Sequence, residues 1–524
     1  MHEKDPIELV ADEPNHPLSD RIVLAAPWWA VSGFFHLIIA VICMYIIALL
    51  PKLDSEVPAV IRTPTPPSDP IRPFSKEIQP KELDIPERSQ EQVIMPAVPS
   101  DHTENPTDED FKKVKGESSE ALTNQPFKGR GTSGSIGAGS GGGGVYGGRH
   151  GGKELLVAKG GGHPGSLDAV MNALRWLARH QNEDGSWSAQ GHTRRCGRIA
   201  RFQGVCSPVT GEESFNVGLT GLSLLAFLGA GYTHLSRDLY DGIRFGDVVR
   251  NGVKYLQQAQ DASGRVGAED VSQHMYNHLI AGFALAEAFG MTNSVMVRDS
   301  AQRALDYTLA AQNPGKGWRY RSRSGDTDSS VTGWAAQQLK SAEIAGLTVP
   351  REAYAGVLAW YDEVTPDSYW RTGYTDSRAG KVVKPGVNER FGDHPALTAI
   401  SVMARVFIRG RGEPAVRGGT ELMLADLPEW DSSGLKVDLY YWYYGSFAMF
   451  QAEGPKSPRW TKWNDAIKKA LLETQDAKEG DCRHGSWEPV DRWSSDGGRV
   501  YTTALGALTL QVYYRYAFGI LGGH

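Results

Sequence analysis

From residue 166 to residue 518 the hydrophobic positions follow helical spacing, and two kinds of segment alternate. One kind, such as LDAVMNALRWLARHQ and WNDAIKKALLETQ, carries apolar residues at i, i+3, i+4 and i+7 and ends at Gln. The other kind, such as VGLTGLSLLAFLGAG and SVTGWAAQQLKSAEIAG, is apolar on most sides and rich in small residues. A helix that is apolar all round must be buried, so the amphipathic helices cover it from outside. The pattern predicts an all-α domain of about six helical hairpins in an inner and an outer layer.

A different hydrophobic pattern precedes this domain. The segment from Trp28 to Leu50 is apolar throughout and contains no Asp, Glu, Lys or Arg. Its length matches the ~20 residues that cross a bilayer. A cleaved signal peptide would have a shorter apolar core followed by small residues, whereas Leu49-Leu50-Pro51 follows here. We therefore predict a short cytoplasmic tail over 1–26 and a retained transmembrane helix over 27–50, through which the chain contacts the lipid bilayer.

Two segments of low complexity separate the predicted span from the helical domain. Residues 51–127 are rich in proline and polar residues, which predicts a disordered linker without a core of its own. Residues 128–165 contain 17 of the 60 glycines and are predicted to form a flexible joint. The charges that flank the span barely orient it. Only the linker and the size of the following domain favour export of the C-terminal part. We expect a single-pass protein of the inner membrane with its C-terminal domain in the periplasm.

Charge and cysteine content narrow the classes of function. The net charge is −6 and the isoelectric point about 6.2, which excludes a global basic surface for nucleic acid. Four cysteines are too few for a disulfide scaffold. Cys196 and Cys206 are close in sequence, so they either form a bridge in an oxidising compartment or remain two free thiols.

A Gln–Gly–Trp signature follows several of the amphipathic segments. It is complete at Gln181, Gly185 and Trp187, lacks the Trp after Gln260, and recurs with other spacings at Gln312 with Trp318 and at Gln475 with Trp487. This signature resembles the QW repeat of squalene and terpenoid cyclases, which is similar to that of protein prenyltransferase β-subunits. The resemblance covers residues 166–518 and implies an α/α toroid. The Gln and Trp residues then have a structural role, because the amide can satisfy open carbonyls at a helix end.

The resemblance also implies where a ligand would bind. In such toroids the N-terminal ends of the inner helices face a central cavity. Polar and aromatic residues at or near those ends are therefore the candidates for ligand binding: His274, Tyr276, His278, Trp334, His394, Asp438, Tyr441, Arg499 and Tyr501.

Asp326-Thr327-Asp328-Ser329 precedes an inner segment and resembles the Asp-x-Asp-Asp acid motif of class II terpenoid cyclases. In that family the middle Asp, here Asp328, donates a proton to an alkene. Ser329 replaces the third acidic residue, so the carboxyl cluster that would hold the proton is incomplete. Capping of the following helix, a binding role and proton donation by Asp328 with Asp326 are the three interpretations. A cap predicts that Asp328→Asn changes stability by about 1 kcal/mol or less.

Two further groups of residues have both a functional and a structural interpretation. The aromatic run from Leu439 to Tyr444 could line a cavity for a polyisoprenoid, or simply fill a large helical core. Asp481, Cys482 and His484 resemble the zinc ligands of prenyltransferases in type only, and would need a fourth ligand from elsewhere. We predict neither a metal nor a cofactor.

The predicted span contains Ser32-x3-His36, which places a hydroxyl and an imidazole one helical turn apart. This resembles the transmembrane motif of the TonB energy-transducing family, in which the His couples to a proton-driven motor of ExbB/ExbD type. An ionisable residue inside a membrane is costly and indicates a function. The alternative is a plain anchor in which His36 only bonds Ser32 or a backbone group.

Together these features favour a membrane-anchored, exported binding or interaction module. Coupling to ExbB/ExbD-like motor subunits is one of the two interpretations of its anchor. The expected ligand of the module is an isoprenoid or a protein. The alternative is a terpenoid-cyclase-like isomerase or lyase with Asp328 as proton donor.

Overall fold

A computed structural model describes residues 36–38, 41, 44, 145–150, 152–377, 395–516 and 518 of the chain. The chain divides into two units, residues 1–97 and 98–524. In the first unit the described residues, His36 among them, are helical and exposed. Ser32 and most of the predicted span lie outside the described residues. Among the residues that are described, no helix combines the length and the apolar character needed to cross a bilayer.

In the described part of the second unit nearly all regular secondary structure is helical. In chain order the helices are α1 (Gly147–His150), α2 (Lys153–Lys159), α3 (Gly165–Arg179), α4 (Asn216–Gly229), α5 (Phe245–Gln258), α6 (His274–Thr292), α7 (Val295–Ala311), α8 (Ser329–Ile344), α9 (Arg351–Val364), α10 (Ala396–Ile408), α11 (Pro414–Ala425), α12 (Leu439–Glu453), α13 (Pro458–Leu472) and α14 (Ser494–Leu510). Two short strands, β1 (Leu239–Tyr240) and β2 (Ile243–Arg244), pair antiparallel before α5.

The even-numbered helices from α4 to α14 form a closed inner ring. Each packs against the next one in the series, and α14 packs back against α4. The helices between them in sequence lie outside this ring and pack on it, and α3 packs against α14, which joins the first repeat to the last. The inner helices are buried on nearly all sides, as their apolar sequences require. The second unit therefore folds as an α/α toroid.

The structure has more helices than the predicted six or so hairpins require. The hydrophobic pattern did not identify α9 and α11, because neither ends at the Gln that marks the other outer helices. It also missed α1 and α2, which lie inside residues 128–165, the segment predicted to be a flexible joint. Tyr146 and Arg149 are buried against the ring helices, so the glycines next to them connect packed elements.

A buried ion cluster lies at the C-terminal ends of the inner helices. Arg149 of α1 pairs with Glu287 of α6 at 2.9 Å, and Arg515 pairs with the same carboxylate at 3.3 Å. Tyr516 also donates a hydrogen bond to Glu287. Burial alone would raise the pKa of Glu287, but the two guanidinium groups lower it to about 2. Arg149, which precedes the ring helices in the chain, and Arg515 and Tyr516, which follow them, therefore close this end of the toroid.

The Gln–Gly–Trp turns follow α3, α5, α7 and α13, and each connects that outer helix to the next one around the ring. Gln181 donates to the carbonyl oxygens of Gly185 at 3.0 Å and of Val248 in α5 at 2.9 Å. The equivalent second acceptors of Gln260, Gln312 and Gln475 are Ser300, Ala353 and Ala169. Because Ala169 lies in α3, the last of these turns closes the ring.

The indole of each Trp in these turns caps the outer helix that precedes it. Trp187, Trp318 and Trp487 donate to the carbonyl oxygens of Leu177, Thr308 and Leu471 at 2.8–2.9 Å. Their backbone N–H groups donate in turn to threonine hydroxyls of the inner helices, Thr220, Thr332 and Thr503. These threonines had no signal in the sequence, because each acts only once the inner helix packs behind its turn.

Candidate functional site

A cavity of about 680 Å³ lies at the N-terminal ends of the inner helices, opposite the buried ion cluster. Every inner helix, or the loop just before it, contributes to its wall. Most of the lining is apolar or aromatic: Leu219, Leu222, Tyr276, Ile280, Tyr320, Trp334, Tyr374, Leu397, Tyr440, Trp493 and Tyr501. Charged lining residues are Glu212, Asp270, Asp438, Arg492 and Asp496. Of the nine predicted ligand-binding residues, Tyr276, Trp334, Asp438 and Tyr501 line this cavity, which we call the central cavity.

Two inner helices present aspartates at this end as N-caps. Asp328 accepts a hydrogen bond from the Val331 N–H at 2.7 Å, and Asp438 accepts one from the Tyr441 N–H at 2.9 Å. Both carboxylates thereby satisfy an open N–H group in the first turn of their helix. Capping is thus one role of Asp328.

The Asp328 carboxyl is fully buried behind the wall of the central cavity and does not line it. Burial raises its pKa to about 7, against the opposing effects of the Val331 N–H and of Arg319, whose Nε lies 3.8 Å from Oδ2. Asp326 instead lies on the exposed side and pairs with Arg319. The two aspartates of the motif therefore do not form one carboxyl cluster.

Tyrosine hydroxyls connect the helices around the cavity wall. Tyr276 donates to Ser330 Oγ at 2.9 Å, and Ser330 shares a second hydrogen bond with Tyr440 at 2.6 Å. Tyr320 and Tyr374 share a hydrogen bond of 2.6 Å. The sequence analysis missed Ser330, Tyr320 and Tyr374, because Tyr320 and Tyr374 come from loops whose path along the wall has no periodic signal.

The aromatic run at the start of α12 divides between the cavity and the core. Tyr440 lines the cavity, whereas Tyr441 points outward, donates to the Asp426 carbonyl at 2.9 Å and packs against Trp463. Tyr443 stacks on Trp334 with ring centroids 5.9 Å apart. One part of the run therefore lines the cavity and another part fills the core, since a helix directs consecutive side chains about 100° apart.

Two buried carboxyl groups, those of Asp438 and Asp491, lie beside the cavity wall. Asp438 is 3.2 Å from Arg492, and Asp491 accepts hydrogen bonds from the Leu439 and Trp493 N–H groups at 2.7 Å each. Burial and the nearby Asp438 raise the pKa of Asp491 well above its usual range. Asp491 and Arg492 were not among the predicted residues, because they lie in a loop that follows no recognisable motif.

Four of the predicted ligand-binding residues do not line the central cavity. Tyr441 points away from it, His278 accepts from the Val266 N–H at 3.1 Å where other repeats use threonine, and Arg499 is fully buried with Ser486, Ser207 and Glu488 around it. His274 is buried and lies 3.4 Å from the Tyr307 hydroxyl, outside the lining. His394 lies outside the described residues.

Neither the models of known protein families nor the curated proteins match this sequence. Solved structures that resemble the chain include an α-1,6-mannanase of Salegentibacter in complex with α-1,6-mannotriose, with 10% identity and a TM-score of 0.40 over 67% of this chain and 99% of that one. An α-amylase from Clostridium perfringens shows 13% identity and a TM-score of 0.44, covering 67% of this chain and 99% of the other. A type II terpene cyclase from Scytonema, with geranylgeranyl dihydroxybenzoate bound, shows 12% identity and a TM-score of 0.40, covering 69% and 99%. These identities are too low to transfer an activity.

Proposed function

We propose that the toroid is a non-catalytic binding module whose central cavity holds one small, largely apolar ligand of isoprenoid type. The observation that carries this proposal is the cavity itself. It has a volume of about 680 Å³, aromatic and aliphatic walls, and a closed opposite end. Pockets of about 300–1,000 Å³ suit small molecules, whereas a folded protein partner needs a wide exposed surface. The cavity thus favours an isoprenoid over a protein.

The polar groups of the wall suit the polar end of such a ligand. Tyr501 lines the cavity, and its buried hydroxyl has no hydrogen-bond partner among the described residues. A buried hydroxyl without a partner costs free energy, so a ligand that accepts a hydrogen bond there would gain affinity. Glu212 and Asp270 are exposed and contribute negative charge to the lining, which disfavours an anionic head group such as a diphosphate. A polyprenyl alcohol satisfies both conditions.

Filling the cavity tests this proposal. We expect geranylgeraniol to raise the Tm of the detergent-solubilised chain, and Leu222→Trp to abolish that rise by occupying cavity volume. Val295→Trp is the control, because Val295 is 77% exposed on the outer helix α7. Tyr501→Phe should weaken binding by about tenfold, the effect of one lost hydrogen bond of roughly 1.4 kcal/mol. Equal binding by wild type and Leu222→Trp would refute the assignment of the ligand to this cavity.

The second candidate function is proton-initiated cyclisation. The observation in its favour is the Asp328 carboxyl, since a pKa of about 7 leaves a large neutral fraction near neutral pH. A proton from Asp328 would have to reach the cavity past the tyrosines of the wall. Incubation with squalene or shorter polyprenyl substrates, followed by product analysis, distinguishes the two functions. A cyclised product made by wild type and not by Asp328→Asn would overturn the binding module.

The membrane part of the proposal concerns residues 27–50. We propose that this segment anchors the protein in the inner membrane with the toroid in the periplasm, and that His36 contacts a small ExbD-like motor subunit. What supports this is the Ser32-x3-His36 motif in an apolar segment that continues into a proline-rich linker. Site-specific photo-crosslinking from positions beside His36, with and without a protonophore, tests it. No protein crosslink from that helical face would reduce the segment to a plain anchor.

A further inference from the structure

Three cysteines and a histidine from distant parts of the chain meet beside the junction of the first and last repeats. They are His180, just after α3, Cys196 and Cys206 in the loop that follows, and Cys482 in the loop after α13. Their Nε2 and Sγ atoms all lie within 4.8 Å of one another. Cys206 and Cys482 are buried, Cys196 is half-buried, and none of the three forms a disulfide.

The distances within this cluster match those of a tetrahedral metal site. His180 Nε2 lies 3.7, 3.5 and 3.3 Å from the sulfur atoms of Cys196, Cys206 and Cys482. Zn–S bonds of about 2.3 Å and Zn–N bonds of about 2.0–2.1 Å place sulfur and nitrogen about 3.6 Å apart at tetrahedral angles. Three thiols and one imidazole around a common centre therefore have the ligand number, type and spacing of a closed zinc site.

The surroundings orient these ligands as a metal would require. The other ring nitrogen of His180, Nδ1, lies 2.8 Å from the Trp176 carbonyl oxygen, so it carries the proton and Nε2 presents its lone pair to the sulfurs. The Cys206 N–H donates to the Cys196 sulfur at 3.3 Å, a contact that favours thiolate. The Arg179 guanidinium lies 3.7 Å above the Phe202 ring and donates to the His484 carbonyl. Arg179 also pairs with Asp241 at 3.4 Å, and these contacts hold the chain next to His180 and at His484, two residues after Cys482.

We propose that His180, Cys196, Cys206 and Cys482 bind one structural Zn²⁺ that locks the ring closure of the toroid. The site has four protein ligands and no open position, so the metal would be structural and not catalytic. The same two loops already meet through an isolated bridge between Gln203 and Asp481, with the Gln203 N–H donating to the Gly480 carbonyl. A metal bound here would tie the loop of the first repeat to that of the last across nearly 300 residues of chain.

The main competing state is a disulfide. Any bridge between two of these cysteines leaves the third unpaired, and a bond of about 2.05 Å would pull two sulfurs away from the common centre. Binding of all three thiolates by zinc keeps each of them satisfied and resistant to oxidation. Mass spectrometry of the alkylated chain distinguishes the two states, because a disulfide removes two alkylation sites and two hydrogens.

The test uses the full-length protein purified in detergent without added metal. We expect about one equivalent of zinc per chain by elemental analysis, and a loss to below about a tenth in Cys206→Ser, Cys482→Ser and His180→Gln. Cys43→Ser is the matched control, because Cys43 is the remaining cysteine of the chain and lies in the predicted span. Its zinc content should equal that of wild type.

A second measurement keeps the test decisive if a variant does not fold. Chelation of zinc from wild-type protein should lower the Tm and increase hydrogen exchange in the loops around 191–206 and 476–487, and Zn²⁺ but not Mg²⁺ should reverse both. Replacement by Co²⁺ should give the d–d absorption of a tetrahedral thiolate complex. Metal-free protein with three titratable thiols, a disulfide among the three cysteines, or a full equivalent of another metal would each overturn the assignment.

Discussion

The buried Asp328 carboxyl makes the stability of the toroid depend on pH in a definite direction. Burial raises its pKa from 3.8 to about 7 in the folded protein. In the unfolded chain the carboxyl titrates near its ordinary pKa, so the folded state holds the proton more tightly. The stabilising effect of this group is complete below pH 4 and is lost as the pH rises to 7. Above pH 7 the free energy of unfolding no longer changes with the ionisation of Asp328.

Asp328→Asn removes this titration while keeping the cap, since Asn caps about as well as Asp. A difference of roughly 3 pKa units corresponds to about 4 kcal/mol. We expect the two proteins to be about equally stable at pH 4 and the Asn variant to be more stable at pH 8, by up to about that amount. This is larger than the change of about 1 kcal/mol or less that a capping role of Asp328 predicts.

The assay is denaturant unfolding of the full-length chain in detergent at several pH values between 4 and 8. Asp326→Asn is the control, because that side chain is 53% exposed and its pair with Arg319 lies at the surface. Its free energy of unfolding should differ from wild type by less than about 0.5 kcal/mol. Parallel curves for wild type and Asp328→Asn, or a less stable Asn variant at pH 8, would refute the reasoning.

Three further predictions concern the ring. Removal of residues 1–144 should leave a cooperatively folding helical domain by circular dichroism. Removal of residues 1–165 also deletes Arg149, and it should lower the free energy of unfolding by on the order of 3–5 kcal/mol because Glu287 loses one of its buried partners. Gln475→Met should lower the free energy of unfolding by about 1–3 kcal/mol through the loss of two hydrogen bonds, to Ala169 and Gly485. In the same denaturant titration Gln302→Met should be nearly neutral, because the hydrogen bond of Gln302 to Asp306 is exposed to solvent. Gly185→Ala should lower the Tm more than Gly315→Ala. Both glycines have a positive φ, but only at Gly185 would a Cβ lie 2.2 Å from a backbone oxygen, that of Asn251. Equal decreases in Tm would contradict this packing explanation.

The sequence by itself determined the layered helical architecture and the location of the candidate site. Helical periodicity separates inner from outer helices because burial acts on each segment locally, and the Gln–Gly–Trp signature marks the turns where Gln181 and Trp187 make their bonds. The outer helices α9 and α11 were not predicted because neither is followed by that signature. The segment around α1 escaped because glycine content indicates flexibility only where nothing packs against the neighbouring residues.

Tertiary structure alone decided which residues act together. Tyr276 faces the cavity whereas His278, two residues further along the same helix, supports a turn, because a helix rotates them to different neighbours. Asp328 acquires its raised pKa from the side chains that bury it, and no property of Asp326-Thr327-Asp328 encodes that burial. Cys482 stands alone in the sequence and meets His180, Cys196 and Cys206 only because the ring closes. Closure brings the two ends of the domain together, and a pattern read along the chain contains no distance between them.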